Sequence, residues 1–430
     1  MLIDFNNFTQ GHFLGLFFKL DSLNISMLIF VLLLGGMIFN YARRYMASDL
    51  YQEKFLLRFC LLIFMVSLLV LSNNLLTAFI AWQGIGFFIY QLLTHYQDRP
   101  SAIQAAKLKC FITRVGDICF ISAIFMAYFT LGSSDYSALV NSPYSLEIGF
   151  LLAIAVMTKS SLFPFHQWLP ETLETPTPVS AVMHAGVINA GGFLLLRNWG
   201  LFSAHPALLI FLACIGLVTA LMGLINKIKA SSFKKKLAYS TQSQMGFMTF
   251  QYGIGAPAAA FFHILAHGLF KATAFLNSGD LLSTKKIERS PANIKKGSFM
   301  FAGERSILML KKPILILISI ALAMGSGFLI NQLFGLSLGN PILLSFIEIT
   351  MAQLIYQTLR SQSLWLIKIL CLGFIFILFA FYNLIIFYWS DYFSLIFNPK
   401  IIFPLWLSLF FIVTLWSIEI IFWLFFEAVE

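Results

Sequence analysis

Charge is scarce in this chain. Only 11% of its 430 residues are Asp, Glu, Lys or Arg, while 59% are hydrophobic and the mean hydropathy is +0.86. Soluble domains carry roughly a quarter charged residues, so an ordinary water-soluble protein is excluded. Cysteine is sparse as well. Cys60, Cys110, Cys119, Cys214 and Cys371 are an odd number with no C-x-x-C among them, which argues against an iron–sulfur site or a zinc knuckle and for small buried hydrophobes. There is no Gly-rich phosphate loop, metal cluster or nucleophile triad, so no catalytic site is expected and no cofactor is assigned to the chain itself. The start, Met1-Leu-Ile-Asp4-Phe, lacks a basic region before an apolar core, so no cleaved signal is expected; the first span would direct insertion.

What the chain has in place of charge is a series of long apolar runs. About thirteen approach the 20 or so residues that a helix needs to cross hydrocarbon, centred near Ile29, Phe64, Gly84, Phe120, Ala155, Val187, Leu212, Gly246, Leu265, Ala323, Thr350, Phe376 and Phe411. The expectation is an all-α polytopic membrane bundle with no short-period repeat. Four parts suggest themselves: N-terminal spans over 1–145, a core over 146–279 with most of the unusual chemistry, a basic cytoplasmic connection over 280–312, and C-terminal spans over 313–430.

The net charge of +10 invites a nucleic-acid partner, but its distribution argues against one. Twenty-three of the 28 Lys and Arg fall on alternate connections, Arg43–Arg58, Arg99–Arg114, Lys227–Lys236, Lys285–Lys312 and Arg360–Lys368. Lys19, Arg197 and Lys400 lie on the other side. This is the positive-inside pattern, which places the N-terminus outside and the C-terminus in the cytoplasm. The surrounding partner is membrane lipid.

Two lysines remain inside spans. Lys159 ends the run Ala153-Ile-Ala-Val-Met-Thr-Lys159, and Lys271 follows His263 and His267 at i, i+4, i+8, on one helical stripe. A charge at the bilayer centre costs about 2.5–3.5 kcal/mol on insertion scales, so such groups usually move or hold ions. Each step along the stripe rises about 6 Å, within reach of bridging water, and imidazole titrates near neutrality. Two blander readings compete: a His-x3-His zinc site, for which no third ligand is evident, and satisfied packing histidines. His184 is a candidate next station for Lys159. Asp117 could partner Lys159, unless Arg114 holds that carboxylate in an interhelical ion pair; Gln83 can supply no charge. Glu348, in an apolar run, is a weaker candidate. After Lys159, four prolines between Pro164 and Pro178 end any helix. Either a cytoplasmic loop or a discontinuous helix follows; in the second case unpaired backbone ends near Lys159 would line a wet cavity.

The residues Lys159-Ser-Ser-Leu-Phe-Pro-Phe-His-Gln-Trp-Leu-Pro-Glu-Thr-Leu-Glu-Thr-Pro-Thr-Pro-Val-Ser-Ala-Val-Met-His184-Ala resemble the signature of antiporter-like subunits of respiratory complex I and multisubunit cation/proton antiporters. So do Lys236-Leu-Ala-Tyr-Ser-Thr-Gln-Ser-Gln-Met-Gly246, Thr113-Arg114-Val-Gly-Asp117 and Leu20-Asp21-Ser-Leu, so that the likeness covers roughly 15–280. Within that superfamily, Glu171-Thr-Leu-Glu174-Thr-Pro with Met183-His-Ala-Gly-Val-Ile-Asn189 is most similar to the DabB family, the membrane subunits of DAB inorganic-carbon systems. Trp82-Gln83-Gly84 departs from the Trp-Glu-Gly of complex I, and Met324–Gln332 shows no late-helix lysine. The resemblance implies a bacterial inner-membrane protein with an antiporter-like bundle. It implies cation translocation through Lys159, His184, His263, His267 and Lys271, supported by Asp117, Arg114 and Gln83. It also implies a DabA-like soluble or peripheral partner that holds zinc and hydrates CO2. A proton-pumping subunit of a complex I-like enzyme or antiporter is the first alternative; a non-transporting membrane anchor is the second.

Overall fold

A computed structural model of the chain describes residues 18–287 and a few single positions between 318 and 376. The chain divides into two compact units, Met1–Arg289 and Ser290–Glu430, and the described stretch belongs to the first. Its helices are α1 Ser22–Tyr45, α2 Gln52–Leu71, α3 Leu75–Leu93, α4 Pro100–Leu131, α5 Ser145–Lys159, α6 Trp168–Glu171, α7 Thr177–Val182, α8 Asn189–Arg197, α9 Trp199–Ser203, α10 Pro206–Lys229, α11 Phe233–Gly253 and α12 Pro257–Ile287. A π-helical turn, Met183–Val187, joins α7 to α8.

Local chemistry sets the ends. The Asp21 carboxylate accepts from the Asn24 amide (2.9 Å) to open α1, and Arg43 and Arg44 close it against the negative end of the helix dipole. Asn74 caps α3 through the Thr77 amide (2.8 Å). Pro100 and Pro206 sit at the first positions of α4 and α10, where a missing N–H does no harm. Gly132, at φ 66°, ends α4 in the left-handed conformation that favours glycine.

Among the described residues seven helical stretches are long and apolar enough to cross a membrane: 22–45, 52–71, 75–93, 100–131, 177–197, 206–229 and 257–277. The runs centred on Ala155 and Gly246 are helices too, but one has only 15 residues and the other carries Thr241, Gln242 and Gln251 on its buried side. The expected spans at Ala323, Thr350, Phe376 and Phe411 lie beyond the continuous described stretch, as do Glu348 and most of the 280–312 connection. α10 and α11 form a tightly packed hairpin. A Cβ on Gly223 or Gly246 would meet the backbone of the facing helix, at Ser243 and Ala220 respectively, so only glycine permits this approach.

The break after Lys159 lies in the interior. Ser160, Ser161, Leu162 and Trp168–Pro170 are buried, while Phe163, Pro164, Gln167 and Glu171 are exposed. An interrupted helix, not a solvated loop, is what the structure holds. Several of its backbone groups are paired with side chains from other parts of the chain. The Phe163 amide donates to Thr219 Oγ1 (2.9 Å), and the Trp168 indole donates to the Thr158 carbonyl (3.1 Å). Ser160 Oγ donates to the Ile188 carbonyl (2.9 Å), which ties the break to the end of the π-helical turn. Side chains take the place of the lost helix ladder, as buried backbone polar groups require.

Candidate functional site

Lys159 occupies the last position of α5 and is 2% exposed. Its Nζ donates to the Trp82 carbonyl (3.0 Å) and lies 4.4 Å from the centroid of the Trp82 ring. Indole faces attract cations, and the effect grows when water is excluded. Asp117 does not pair directly with Lys159. The Trp82 indole N–H donates to its Oδ1 (3.0 Å), and Arg114 Nη1 lies 3.3 Å from its Oδ2. Trp82 thus stands between the two charges, touching both. The Arg114–Asp117 pair lies within α4, one turn apart, and is not the interhelical pair the sequence suggested: i, i+3 spacing on one helix satisfies both groups first. Gln83 Oε1 accepts from Arg114 Nη1 (3.2 Å), so the amide serves the arginine rather than the lysine.

The sequence placed Lys109 among the topology-setting charges. The structure buries it to 3% exposure, with Nζ 5.3 Å from the Trp168 ring and close enough to Lys159 for the two to interact electrostatically. The cause is the length of α4, which starts at Pro100 and carries Lys109 on the same face as Thr113 and Asp117. That i, i+4, i+8 spacing was visible in the sequence and is the signal that identifies it.

The second group surrounds the π-helical turn and α12. His184, fully buried in that turn, stacks on Phe275 with ring centroids 4.4 Å apart. His263 Nδ1 and Gln251 Oε1 are 3.2 Å apart, and the His263 and His267 rings are 6.1 Å apart, matching the rise expected along the stripe. Lys271 Nζ donates to the Leu237 carbonyl at the start of α11 (3.3 Å). His184, His263 and Lys271 all act electrostatically on His267. Both ring nitrogens of His184 and of His267, and both side-chain polar atoms of Gln242, are buried with no hydrogen-bond partner among the described residues. Gln242 and Gln251 were not singled out by sequence, since α11 reads as merely polar.

The structure therefore brings the sequence candidates together as two clusters. No side-chain hydrogen bond between described residues joins Lys159 to His184; the Ser160–Ile188 bond is one contact between their neighbourhoods. Packing explains the second cluster's geometry. A Cβ on Gly268 would sit 2.5 Å from Phe30 and 2.9 Å from the Ala185 carbonyl, so glycine lets α12 rest directly on the π-helical turn, one residue from His267. Among the described residues no three His, Cys, Asp or Glu side chains converge as a metal site.

Residues 72–296 match the family described as the transmembrane region of NADH:quinone oxidoreductase/Mrp antiporters, and 9–56 match the N-terminus of complex I chain 5. The chain is 34% identical over 366 residues to the "Probable inorganic carbon transporter subunit DabB1" of Halothiobacillus neapolitanus, covering 79% of this chain and 63% of that one. It is 35% identical over 272 residues to NADH-ubiquinone oxidoreductase chain 5 of Allomyces macrogynus, covering 62% and 42%. A chain in the solved Mrp complex from Dietzia sp. DQ12-45-1b superposes with a TM-score of 0.59 at 26% identity, covering 87% of this chain and 39% of its own. The chain thus spans 39–63% of the length of these relatives. The resemblance read from the motifs is borne out: a match over more than half its length makes this chain a member of the NADH:quinone oxidoreductase/Mrp antiporter membrane family.

Proposed function

We propose that this protein is the cation-translocating membrane subunit of an energy-coupled inorganic-carbon pump. Proton or sodium entry down its gradient alters the charge state of Lys159, His184, His263, His267 and Lys271. That change is passed to a DabA-like partner, which would hold the zinc and supply the hydration of CO2 to bicarbonate. The observation that carries the translocation reading is the pair of buried cationic clusters, the second of which holds the His184 and His267 imidazoles with no hydrogen-bond partner among the described residues. Such groups are free to exchange protons with mobile water, which a packing histidine with both nitrogens bonded is not.

The carbon reading is supported by the similarity to DabB1, which extends over 79% of the chain, against 62% for complex I chain 5 of Allomyces macrogynus. It is supported also by Gln83, which binds Arg114 and leaves Lys159 without the carboxylate of the complex I pattern. The test is carbon-dependent growth of a strain lacking its own carbonic anhydrase, with and without the partner gene. Rescue that needs both genes is expected. Undiminished rescue by Lys159→Ala would overturn the role of that lysine, and rescue by the Lys159, His267 and Lys271 variants alike would favour a passive anchor. The complex I or antiporter alternative predicts no rescue and a cation flux without carbon dependence.

A further inference from the structure

Arg114 is half exposed, with 53% of its side chain uncovered, near the middle of a membrane-spanning helix. It is the fifteenth residue of the 32 in α4, about 21 Å from the helix start at 1.5 Å per residue. The whole helix is about 48 Å long and the hydrocarbon core about 30 Å thick, so wherever the core falls along α4 Arg114 lies inside it, by about 3 Å at the least. It is also held there. Nη1 makes both of its contacts, to Gln83 Oε1 (3.2 Å) and Asp117 Oδ2 (3.3 Å), and snorkelling to the interface would break both. Nε and Nη2 have no partner among the described residues. The surface around it is apolar: Phe111 is 75% exposed, Ile118 65% and Phe125 57%, all on one stripe of α4. A fork of guanidinium donors facing lipid tails is costly, because hydrocarbon supplies no acceptor.

We infer that the Phe111–Arg114–Ile118–Phe125 stripe of α4 is an interface for a transmembrane helix of a different subunit, which presents a carboxylate to Arg114. An Asp or Glu is the matching group because its two oxygens accept the two free edges of the guanidinium in parallel. A second copy of this chain fits poorly, since a two-fold pairing through this stripe would set Arg114 against itself. The solved relative belongs to a multisubunit Mrp complex, so an intramembrane neighbour suits the fold. Such a helix would be additional to a peripheral zinc subunit and does not depend on which ion or substrate the assembly handles.

The test places the photocrosslinker benzoylphenylalanine at Phe111 and at Ile118 in the full-length protein in its native membrane, with Leu33 on α1, 64% exposed, as control. Peptide mapping is expected to find adducts at Phe111 and Ile118, not at Leu33, on an apolar segment of another polypeptide that contains an Asp or Glu within a turn or so of the site. Arg114→Glu should lower the crosslink yield about tenfold or more, and reversing the mapped acid to Arg should restore it. If Arg114→Glu fails to accumulate, Arg114→Gln gives the same comparison, and the mapping itself needs no substitution at Arg114. Adducts only with lipid, within the chain or between two copies would overturn the inference. So would a mapped segment without an acidic residue, or a yield that Arg114→Gln leaves unchanged.

Discussion

The Lys159 ammonium and the Asp117 carboxylate are joined through one residue, Trp82, whose carbonyl accepts from the lysine (3.0 Å) while its indole N–H donates to the aspartate (3.0 Å). A residue held by Lys159 at its carbonyl and ring face and by Asp117 at its indole N–H transmits a change at either one. When Lys159 loses its charge, the attraction of the ring face and the charge assistance to the Trp82 carbonyl both go, and the indole is freed to move against Asp117. Lys159→Ala is expected to reduce cation translocation by about tenfold or more, equivalent to about 1.4 kcal/mol on the limiting step. Trp82→Phe keeps a ring over the lysine and removes only the link to Asp117, so it should lose less. Ion flux in sealed vesicles, with protein level as control, measures both. No loss for Trp82→Phe would show that Trp82 is not the link.

Gly268 is where packing and chemistry meet on α12. A methyl group there would sit 2.5 Å from Phe30 and 2.9 Å from the Ala185 carbonyl, so Gly268→Ala must push α12 away from the π-helical turn that carries His184. The expected cost is about 1–3 kcal/mol, as for other overpacked contacts. Thermal unfolding in detergent should shift downward. Flux should fall further than in Ala272→Gly, a nearby change on the same helix that removes volume instead of adding it.

What the sequence made legible follows from helical periodicity. The stripe His263–His267–Lys271 was readable because i, i+4, i+8 fixes one face, and the 6.1 Å between the two imidazoles agrees. The interruption after Lys159 was readable from its prolines. Periodicity says which residues share a face but not which helix that face meets. Trp82 as the cradle of Lys159 was therefore hidden: its carbonyl is available to a side chain only because α5 ends beside α3. Lys109 was misplaced for a related reason. A 20-residue span was assumed where α4 runs to 32, which drew a buried lysine into an apparent loop. The backbone partners at the break, Thr219 and Trp168, come from 10 to 56 residues away, a distance no local pattern encodes.

The turn between α1 and α2 carries a pH-sensitive latch. Burial opposes charge on Asp49, but the Tyr51 amide (2.8 Å), the Tyr96 hydroxyl and His95 outweigh it and hold the carboxyl below its ordinary value. Burial, then the bond to Asp49, pushes the Tyr96 phenol up to about 12. The signs differ. The depressed carboxyl contributes stability that is complete above the unfolded value of about 3.9 and disappears as pH falls through the folded one. The raised phenol contributes stability that is complete below about 10 and is lost as pH climbs toward about 12. Melting temperature measured against pH should therefore lose part of its acid fall in Asp49→Asn and part of its alkaline fall in Tyr96→Phe. A Tyr96→Phe profile that tracks the parent between about 10 and 12 would count against the latch.

Asp21 and Arg197 make the corresponding clamp on the opposite side of the bundle. Arg197 Nη1 lies 2.8 Å from Asp21 Oδ2, with side chains 7% and 13% exposed, and the guanidinium rests 5.2 Å from the Tyr136 ring centroid. Asp21 also caps α1, while Arg197 ends α8, so one pair fixes the outer ends of two helices that flank the π-helical turn. Breaking a buried pair from one side leaves the other charge without its counterpart, which costs about 3–5 kcal/mol. Arg197→Met should therefore lower the unfolding midpoint more than Asp21→Asn, because the one amide oxygen of the latter can still meet one of the two donors, the Asn24 amide or Arg197. Because Lys19 lies 3.8 Å from Asp21 and is 42% exposed, Lys19→Met should change the midpoint little. If Lys19→Met destabilises as much as Arg197→Met, the stabilisation comes from net charge at this end and not from the Asp21–Arg197 pair.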